Sequence, residues 1–253
     1  MKQLANFFTL LNLCFGCVAI VFTLQTGETI VNLESGEWKI YFPEKITWAA
    51  ICIFSAAVVD FFDGFVARLL KADSEMGKQL DSLADVVSFG VAPGAIMYQL
   101  LRIAIAAEPS GMDQSSLYFL PVMLIPVAAA WRLARFNVDT TSSHHFKGLP
   151  APAAGLFLAT LPMISFYNLF DLQSILVNKW VLYTIAFIIS YLMISSIRLI
   201  NLKFKNFAWK ENTSRYLLII ISVAAVLALG WIAGFVILIT YILVSLLFKK
   251  ELQ

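Results

Sequence analysis

Four aspartates stand in a part of the chain that is otherwise strongly apolar. They form two pairs whose members are three or four residues apart: Asp60 with Asp63, and Asp81 with Asp85. Residues with this spacing share one face of a helix, so each pair predicts two carboxylates that point the same way. The connection between the pairs is short enough to predict antiparallel neighbouring helices, which would bring all four carboxylates together.

Such a cluster requires a positively charged partner. An ionised side chain at mid-bilayer costs about 2.5 to 3.5 kcal/mol even on the lenient insertion scale, and four like charges also repel one another. Carboxylate oxygens without His or Cys nearby suit Mg²⁺ or Mn²⁺ best, and Ca²⁺ less well. Two such ions, bridged by shared carboxylates, could bind a pyrophosphate group and stabilise an in-line displacement. We therefore predict a two-ion metal site; the simpler alternative is that the aspartates cap helices or pair with arginines.

The composition indicates that the helices carrying this site cross a membrane. Hydrophobic residues make up 60% of the 253 residues, charged residues make up 13%, and the mean hydropathy is +0.82. In soluble domains these two shares are about one half and one quarter. Apolar runs long enough to cross about 30 Å of hydrocarbon lie at 7–24, 46–65, 86–106, 117–134, 149–167 and 180–200.

The last apolar run, 216–248, would be about 50 Å long as a single helix, which exceeds the bilayer core. Gly230 and Gly234 favour a turn within it, so we divide it into two short spans. The fold class expected is therefore all-α, a membrane bundle of about eight helices. Residues 1–200 would form a six-span catalytic domain, and residues 201–253 a cytoplasmic loop with a two-span hairpin.

The charges and cysteines restrict the other possibilities. With eight spans, most Lys and Arg residues fall on the side of the N-terminus, which predicts a protein of the cell (inner) membrane with both termini in the cytoplasm. A net charge of +2 without a basic run gives no reason to expect nucleic acid. Cys14, Cys17 and Cys52 lie within apolar runs and indicate no disulfide framework.

The stretch from Asp60 to Asp85 resembles the signature of the CDP-alcohol phosphatidyltransferase family, D-x2-D-G-x2-A-R-x8-G-x3-D-x3-D. Every fixed position of the signature is matched, by Asp60, Asp63, Gly64, Ala67, Arg68, Gly77, Asp81 and Asp85. The resemblance covers about the first six spans, and the final hairpin lies outside the common core of the family. It also implies a homodimer.

The resemblance further implies a reaction and roles for these residues. A phosphatidyl group would pass from a CDP-linked lipid to an acceptor hydroxyl, and CMP would be released. The four aspartates would hold two divalent cations against the pyrophosphate, and Asp85 would also be the general base. Asp60, Gly64, Arg68 and Ser74 would contact the CDP-lipid.

Three later stretches resemble the phosphatidylserine synthase branch of this family: "DSLADVVSFGVAP" at 81–93, "RLARFN" at 132–137 and "FKGLPAPAAG" at 146–155. The acceptor expected is therefore L-serine and the donor CDP-diacylglycerol. Arg132 and Arg135, about one helical turn apart, would form a fork for the serine carboxylate. Asn137 would add a polar contact.

Two other functions stay open on the sequence alone. A phosphatidylglycerophosphate or phosphatidylinositol-phosphate synthase would use the same basic pair, because an acceptor phosphate suits two arginines equally well. A divalent-cation transporter would use the aspartates as a translocation site. The transporter predicts acidic residues near mid-bilayer on several spans, whereas here they cluster at one membrane face beside Arg68.

Overall fold

The computed structural model describes residues 2–25, 31–34, 37–40, 42–69, 74–108, 115–138, 146–200 and 212–248. Helices dominate this part of the chain. The α-helices are α1 (Lys2–Leu24), α2 (Glu44–Leu69), α3 (Glu75–Val86), α4 (Ala92–Ala106), α5 (Leu124–Val138), α6 (Ala151–Phe166), α7 (Gln173–Leu176), α8 (Lys179–Ile194), α9 (Thr213–Leu229) and α10 (Ala233–Leu247). A π-helical segment, Val87–Val91, joins α3 to α4, and short 3-10 segments cover Ser116–Met123, Leu169–Asp171 and Gly230–Ile232.

The expectation of an all-α membrane bundle is confirmed. Five stretches are long and apolar enough to cross a membrane: Asn6–Leu24, Glu44–Val66, Glu75–Ala106, Ser116–Val138 and Thr213–Leu247. The predicted fifth and sixth spans correspond to α6 and α8, which are apolar but have only 16 residues each. Helices of that length extend about 24 Å, somewhat less than the hydrocarbon core.

Two short strands explain how α6 and α8 can be short. β3 (Phe146–Lys147) precedes α6, β4 (Arg198–Leu199) follows α8, and the two pair antiparallel. The Gly148 backbone N–H then donates to the Ile197 carbonyl at 2.9 Å. Gly148 has a φ of +80°, and a Cβ there would stand 2.4 Å from the Met193 carbonyl oxygen. The pairing therefore satisfies backbone groups just before α6 and just after α8.

A second small sheet lies in the loop between α1 and α2. β1 (Val31–Glu34) and β2 (Glu37–Ile40) form an antiparallel hairpin in which Val31 pairs with Ile40. This hairpin and the small β3–β4 sheet are the strands of the described residues.

The division of the last apolar run into two helices is also confirmed. α9 ends at Gly230, whose φ of +56° and ψ of −126° suit glycine and end the helix. α10 then turns back along α9 and also packs on α6. A Cβ at Gly234 would stand 2.7 Å from Thr160 Oγ1, so the first turn of α10 approaches α6 closely. The predicted loop at 201–211 lies outside the described residues.

The π-helical segment lies where several helices converge. Gly16 of α1 packs on it so closely that a Cβ would stand 2.9 Å from the Ser88 Cα. Gly155 of α6 makes a similar approach to Phe89, with 3.0 Å from its Cβ position to the Phe89 Cα. Small residues allow helix backbones to approach in membranes, where packing provides much of the association. These contacts fix the chain directly after Asp85.

Side-chain contacts define the two ends of the bundle. At one end, Asn137 Nδ2 donates to Ser82 Oγ at 2.8 Å, which joins α5 to α3. At the other end, Lys179 Nζ lies 2.6 Å from Glu108 Oε2, which joins the start of α8 to the segment after α4. The aspartates of α3 therefore lie at the first end, beside the last turns of α5.

We expect Gly16→Ala to destabilise the protein, because the added methyl group would meet the Ser88 backbone. Overpacking of this kind costs about 1 to 3 kcal/mol. Gly64→Ala is the matched control: it is the same change in another long helix, and its Cβ would meet no atom within 4 Å. There we expect no loss, or a gain of about 0.5 to 1 kcal/mol from the better helix former. Thermal midpoints of both variants in detergent test this, and equal midpoints would contradict it.

Candidate active site

Three of the four predicted aspartates form one compact group. Asp60 of α2 and Asp81 and Asp85 of α3 each place a carboxylate oxygen within 4.8 Å of the other two. Asp60 and Asp81 are half-buried, and Asp85 is only 7% exposed. The negative charges of Asp60 and Asp81 act directly on Asp85. Hard oxygen ligands that converge in this way fit a divalent cation of the Mg²⁺ or Mn²⁺ class.

Local structure at the start of α3 sets the position of its two aspartates. Ser74 is the N-cap: its extended backbone lets Oγ accept from the Gly77 N–H at 3.0 Å. Gly77 in turn packs on α1, where a Cβ would stand 3.2 Å from Asn6 Oδ1. The cap and the close approach fix the rotation of α3 and thus the face on which Asp81 and Asp85 lie. The predicted contact of Ser74 with a nucleotide stays a prediction.

Asp63 lies next to this group but outside it. Its buried carboxylate accepts a hydrogen bond from Thr9 Oγ1 of α1. Residues three apart on a helix differ by about 60° in direction, and here this offset turns Asp63 towards α1 while Asp60 faces α3. The predicted role of Asp63 as a metal ligand stays a prediction.

The first helix supplies polar contacts that sequence reasoning missed. Besides Thr9, Asn12 donates from Nδ2 to Asp85 Oδ1 at 3.5 Å. The Asn12 carbonyl also accepts from Ser88 Oγ at 3.0 Å, which ties α1 to the π-helical segment. The signal was present in the sequence: Asn6, Thr9 and Asn12 recur every three residues in an apolar span. Polar groups in a membrane helix need partners, so such a stripe predicts contact with another polar helix face.

The two arginines predicted to form a fork face different partners. Arg132 is only 7% exposed and interacts electrostatically with Asp85. Arg135 is less buried, and its Nη1 donates to the Ile194 carbonyl at the end of α8, at 3.0 Å. Asn137 donates to Ser82, next to Asp81. Arg132 is thus placed at the carboxylate group, whereas Arg135 holds α5 against α8; a role for each in serine binding stays a prediction.

The C-terminal hairpin reaches the same region through α10. Tyr241 is buried and interacts electrostatically with Arg132. Its hydroxyl donates to the Ile200 carbonyl at 3.0 Å, and Ser245 Oγ accepts from the Ile200 N–H at 3.2 Å. Two side chains of α10 therefore hold both backbone groups of Ile200, directly after β4.

The remaining predicted residues lie on α2, one and two turns after Asp60. Gly64 is exposed, and the space around its Cβ position is open. The backbone of Arg68 is part of α2, but its side chain lies outside the described residues. An open helix surface beside the carboxylates leaves room for a large substrate to approach.

Comparisons with known proteins give a family match and several similar relatives. Residues 2–191 match the family model described as CDP-alcohol phosphatidyltransferase. The chain is 38% identical over 142 residues to a protein of Mycobacterium leprae (strain TN) named CDP-diacylglycerol--serine O-phosphatidyltransferase, a match that covers 53% of this chain and 44% of the relative. Proteins of the same name from Bacillus subtilis (strain 168) and Helicobacter pylori (strain ATCC 700392 / 26695) are 35% and 31% identical over 144 and 202 residues.

The extent of these matches differs. The B. subtilis match covers 54% of this chain and 72% of the relative, and the H. pylori match covers 78% of each. The chain thus spans less than half the length of the M. leprae relative and about three quarters of the other two. The match to the family model ends at residue 191, within α8.

We expect divalent cations to stabilise the protein through the aspartate group. A ligand at about 100 times its Kd adds about 2.7 kcal/mol to the free energy of unfolding, so Mn²⁺ or Mg²⁺ should raise the thermal midpoint above that in EDTA. Asp81→Asn should reduce this shift, and in EDTA it should be at least as stable as the parent because it removes one repelling charge. Asp171→Asn, an exposed aspartate elsewhere, is the control. An undiminished shift in Asp81→Asn would contradict the metal site.

Proposed function

Because the chain belongs to the CDP-alcohol phosphatidyltransferase family, we propose that it transfers the phosphatidyl group of CDP-diacylglycerol to the hydroxyl of L-serine, which yields phosphatidylserine and CMP. One observation carries the proposal: the carboxylates of Asp60, Asp81 and Asp85 converge, and a buried arginine, Arg132, interacts electrostatically with Asp85. The names of the relatives support the choice of donor and acceptor.

Asp60, Asp81 and Asp85, with Asp63 beside them, would hold two Mg²⁺ or Mn²⁺ ions. When bound, these ions would neutralise the charge of the pyrophosphate and make its phosphorus a better electrophile. The donor set supports this role, since at least three carboxylates converge within 4.8 Å and the repulsion among them needs a cation.

Asp85 would be the general base. It is the most buried member of the group of three, and it interacts electrostatically with the other two carboxylates and with Arg132. In the proposed step the serine hydroxyl oxygen bonds to the lipid-bearing phosphorus while its proton passes to an Asp85 oxygen. The bond from that phosphorus to the bridging oxygen breaks, and CMP leaves with the electron pair. Asn12, hydrogen-bonded to Asp85 Oδ1, would hold the carboxylate in position.

Residues of α2 and the α3 cap would bind the donor. Gly64 offers an open surface for the nucleotide, Arg68 would pair with phosphate, and Ser74 stands at the α3 N-terminus, where anions are favoured. Arg132 would bind the carboxylate of serine, with Arg135 and Asn137 on the same end of α5. Charge-assisted, bidentate contacts of this kind are the usual way in which arginine binds a carboxylate.

The distribution of basic residues bears on the location and orientation of the protein. We place the protein in the cell (inner) membrane with both termini and the aspartate group on the cytoplasmic side, since basic residues are concentrated at that end. Residues 1–200 would form the catalytic domain and residues 201–253 the cytoplasmic loop and hairpin. A homodimer would be the functional unit.

CMP release by the purified protein tests the proposal directly. Given CDP-diacylglycerol and Mg²⁺ or Mn²⁺, we expect release that depends on L-serine and stops in EDTA. Asp85→Asn should lower kcat at least about 100-fold, within the range for loss of a general base, while the protein stays folded. Release only with glycerol 3-phosphate or inositol phosphate would keep the aspartate chemistry and overturn serine. If no acceptor supports release, the transporter becomes the better explanation.

The two arginines should contribute unequally to serine affinity. Arg132→Gln removes a buried charge at the aspartates, and we expect the KM for serine to rise about 10-fold to 100-fold, because a hydrogen bond to a charged group contributes about 1.5 to 3 kcal/mol. Arg135→Gln removes a contact with the Ile194 carbonyl and should raise the KM less. The KM for CDP-diacylglycerol should change little in both. A larger effect at Arg135 would reverse this assignment.

A further inference from the structure

Two buried side chains at Asp85 keep a polar atom without a hydrogen-bond partner among the described residues. Asn12 is fully buried, yet its Oδ1 accepts no hydrogen bond. Arg132 is only 7% exposed, and its Nε donates no hydrogen bond. Most buried polar groups in native proteins are satisfied, because leaving one unpaired costs free energy. A pair of exceptions at a single carboxylate therefore calls for a ligand that satisfies both.

The orientation of the Asn12 amide follows from its neighbour. An ionised carboxylate only accepts hydrogen bonds, so the Asn12 amide must present its Nδ2 to Asp85. In the structure, Asn12 Nδ2 lies 3.5 Å from Asp85 Oδ1. Oδ1 then points away from Asp85 and can only accept. The backbone carbonyl of Asn12 is held by Ser88 Oγ at 3.0 Å, which fixes this turn of α1.

The two unpartnered atoms have opposite hydrogen-bonding character. Asn12 offers an acceptor and Arg132 offers a charged donor; Asn12 is hydrogen-bonded to Asp85, and Arg132 interacts electrostatically with the same carboxylate. An α-amino acid presents the complementary groups on one carbon: an ammonium that donates and a carboxylate that accepts. A phosphate-bearing acceptor would satisfy Arg132 but would bring no ammonium to Asn12.

We propose that Asn12 is a specificity-determining residue whose Oδ1 accepts a hydrogen bond from the α-ammonium of the acceptor, while Arg132 binds the carboxylate. This inference rests on the proposed function, since it assigns a residue of α1 to the same acceptor site. The ammonium would then stand beside Asp85, and the serine hydroxyl, three bonds from the ammonium nitrogen, would face the general base. A site that hydrogen-bonds one group of a substrate rejects analogues without that group strongly.

Acceptor analogues separate this role from a merely structural one. We would measure kcat and KM with L-serine, with 3-hydroxypropanoate, which lacks the ammonium, and with L-serinamide, which lacks the carboxylate. The parent protein should prefer L-serine to 3-hydroxypropanoate by about 10-fold or more in kcat/KM. Asn12→Leu should abolish most of the preference for L-serine over 3-hydroxypropanoate. Arg132→Gln should keep that preference but abolish the preference for L-serine over L-serinamide.

Loss of the Asn12 hydrogen bond to Asp85 should also lower kcat, but equally for every acceptor, so the preference ratio isolates the ammonium contact. Asn12→Ala is a second variant in case the larger side chain disturbs folding. Thr23→Val is the control for removing a buried polar group from α1, because Thr23 Oγ1 bonds only within its own helix, to the Ala19 carbonyl at 2.7 Å. Thr23→Val should leave kcat and KM for all three acceptors unchanged.

The outcomes distinguish the two proposals. The inference is supported if the parent prefers L-serine to 3-hydroxypropanoate and only the Asn12 variants lose this preference. An unchanged preference in both Asn12 variants, or no preference for the ammonium in the parent, overturns it while leaving phosphatidyl transfer to serine intact. If the parent releases no CMP with L-serine, the proposed function fails and the assignment of Asn12 fails with it.

Discussion

Mutual repulsion of Asp60, Asp81 and Asp85 must be offset by the helices that surround them. Three carboxylates within 4.8 Å of one another, one of them 7% exposed, cannot all stay ionised unless positive charge offsets them. Arg132 supplies part of it from α5. The charge that remains matches a divalent cation, so the three carboxylates could hold a metal ion.

The helices around this group are packed to hold the carboxylates against that repulsion. α1 braces both pairs: Thr9 donates to Asp63 and Asn12 donates to Asp85. Close approach at Gly16 and Gly155 then locks α1 and α6 onto the π-helical segment that follows Asp85. A π-helical turn adds a residue to the helix and is often found at functional sites. Here it separates the polar α3, which carries the aspartates, from the apolar and mostly buried α4.

The sequence predicts the features that depend on periodicity and on strong local preferences. The apolar runs and Gly230 predict the helices and the final turn, and the spacing of Asp60, Asp81 and Asp85 predicts their convergence. What spacing could not predict is direction within a shared face: an offset of about 60° turns Asp63 to Thr9 and separates Arg135 from Arg132. The polar stripe of Asn6, Thr9 and Asn12 predicts a polar partner for α1, but the sequence alone could not identify Asp85 as the partner of Asn12.

The C-terminal hairpin shows how a segment beyond the family match can still affect the site. The match ends at residue 191, yet α10 reaches back to hold the Ile200 carbonyl with Tyr241 and the Ile200 N–H with Ser245. Ile200 directly follows β4, which pairs with β3 ahead of α6. Tyr241 also interacts electrostatically with Arg132. Because α10 holds the backbone that follows α8 and also packs on α6, the hairpin is joined to the matched part of the chain rather than standing apart from it.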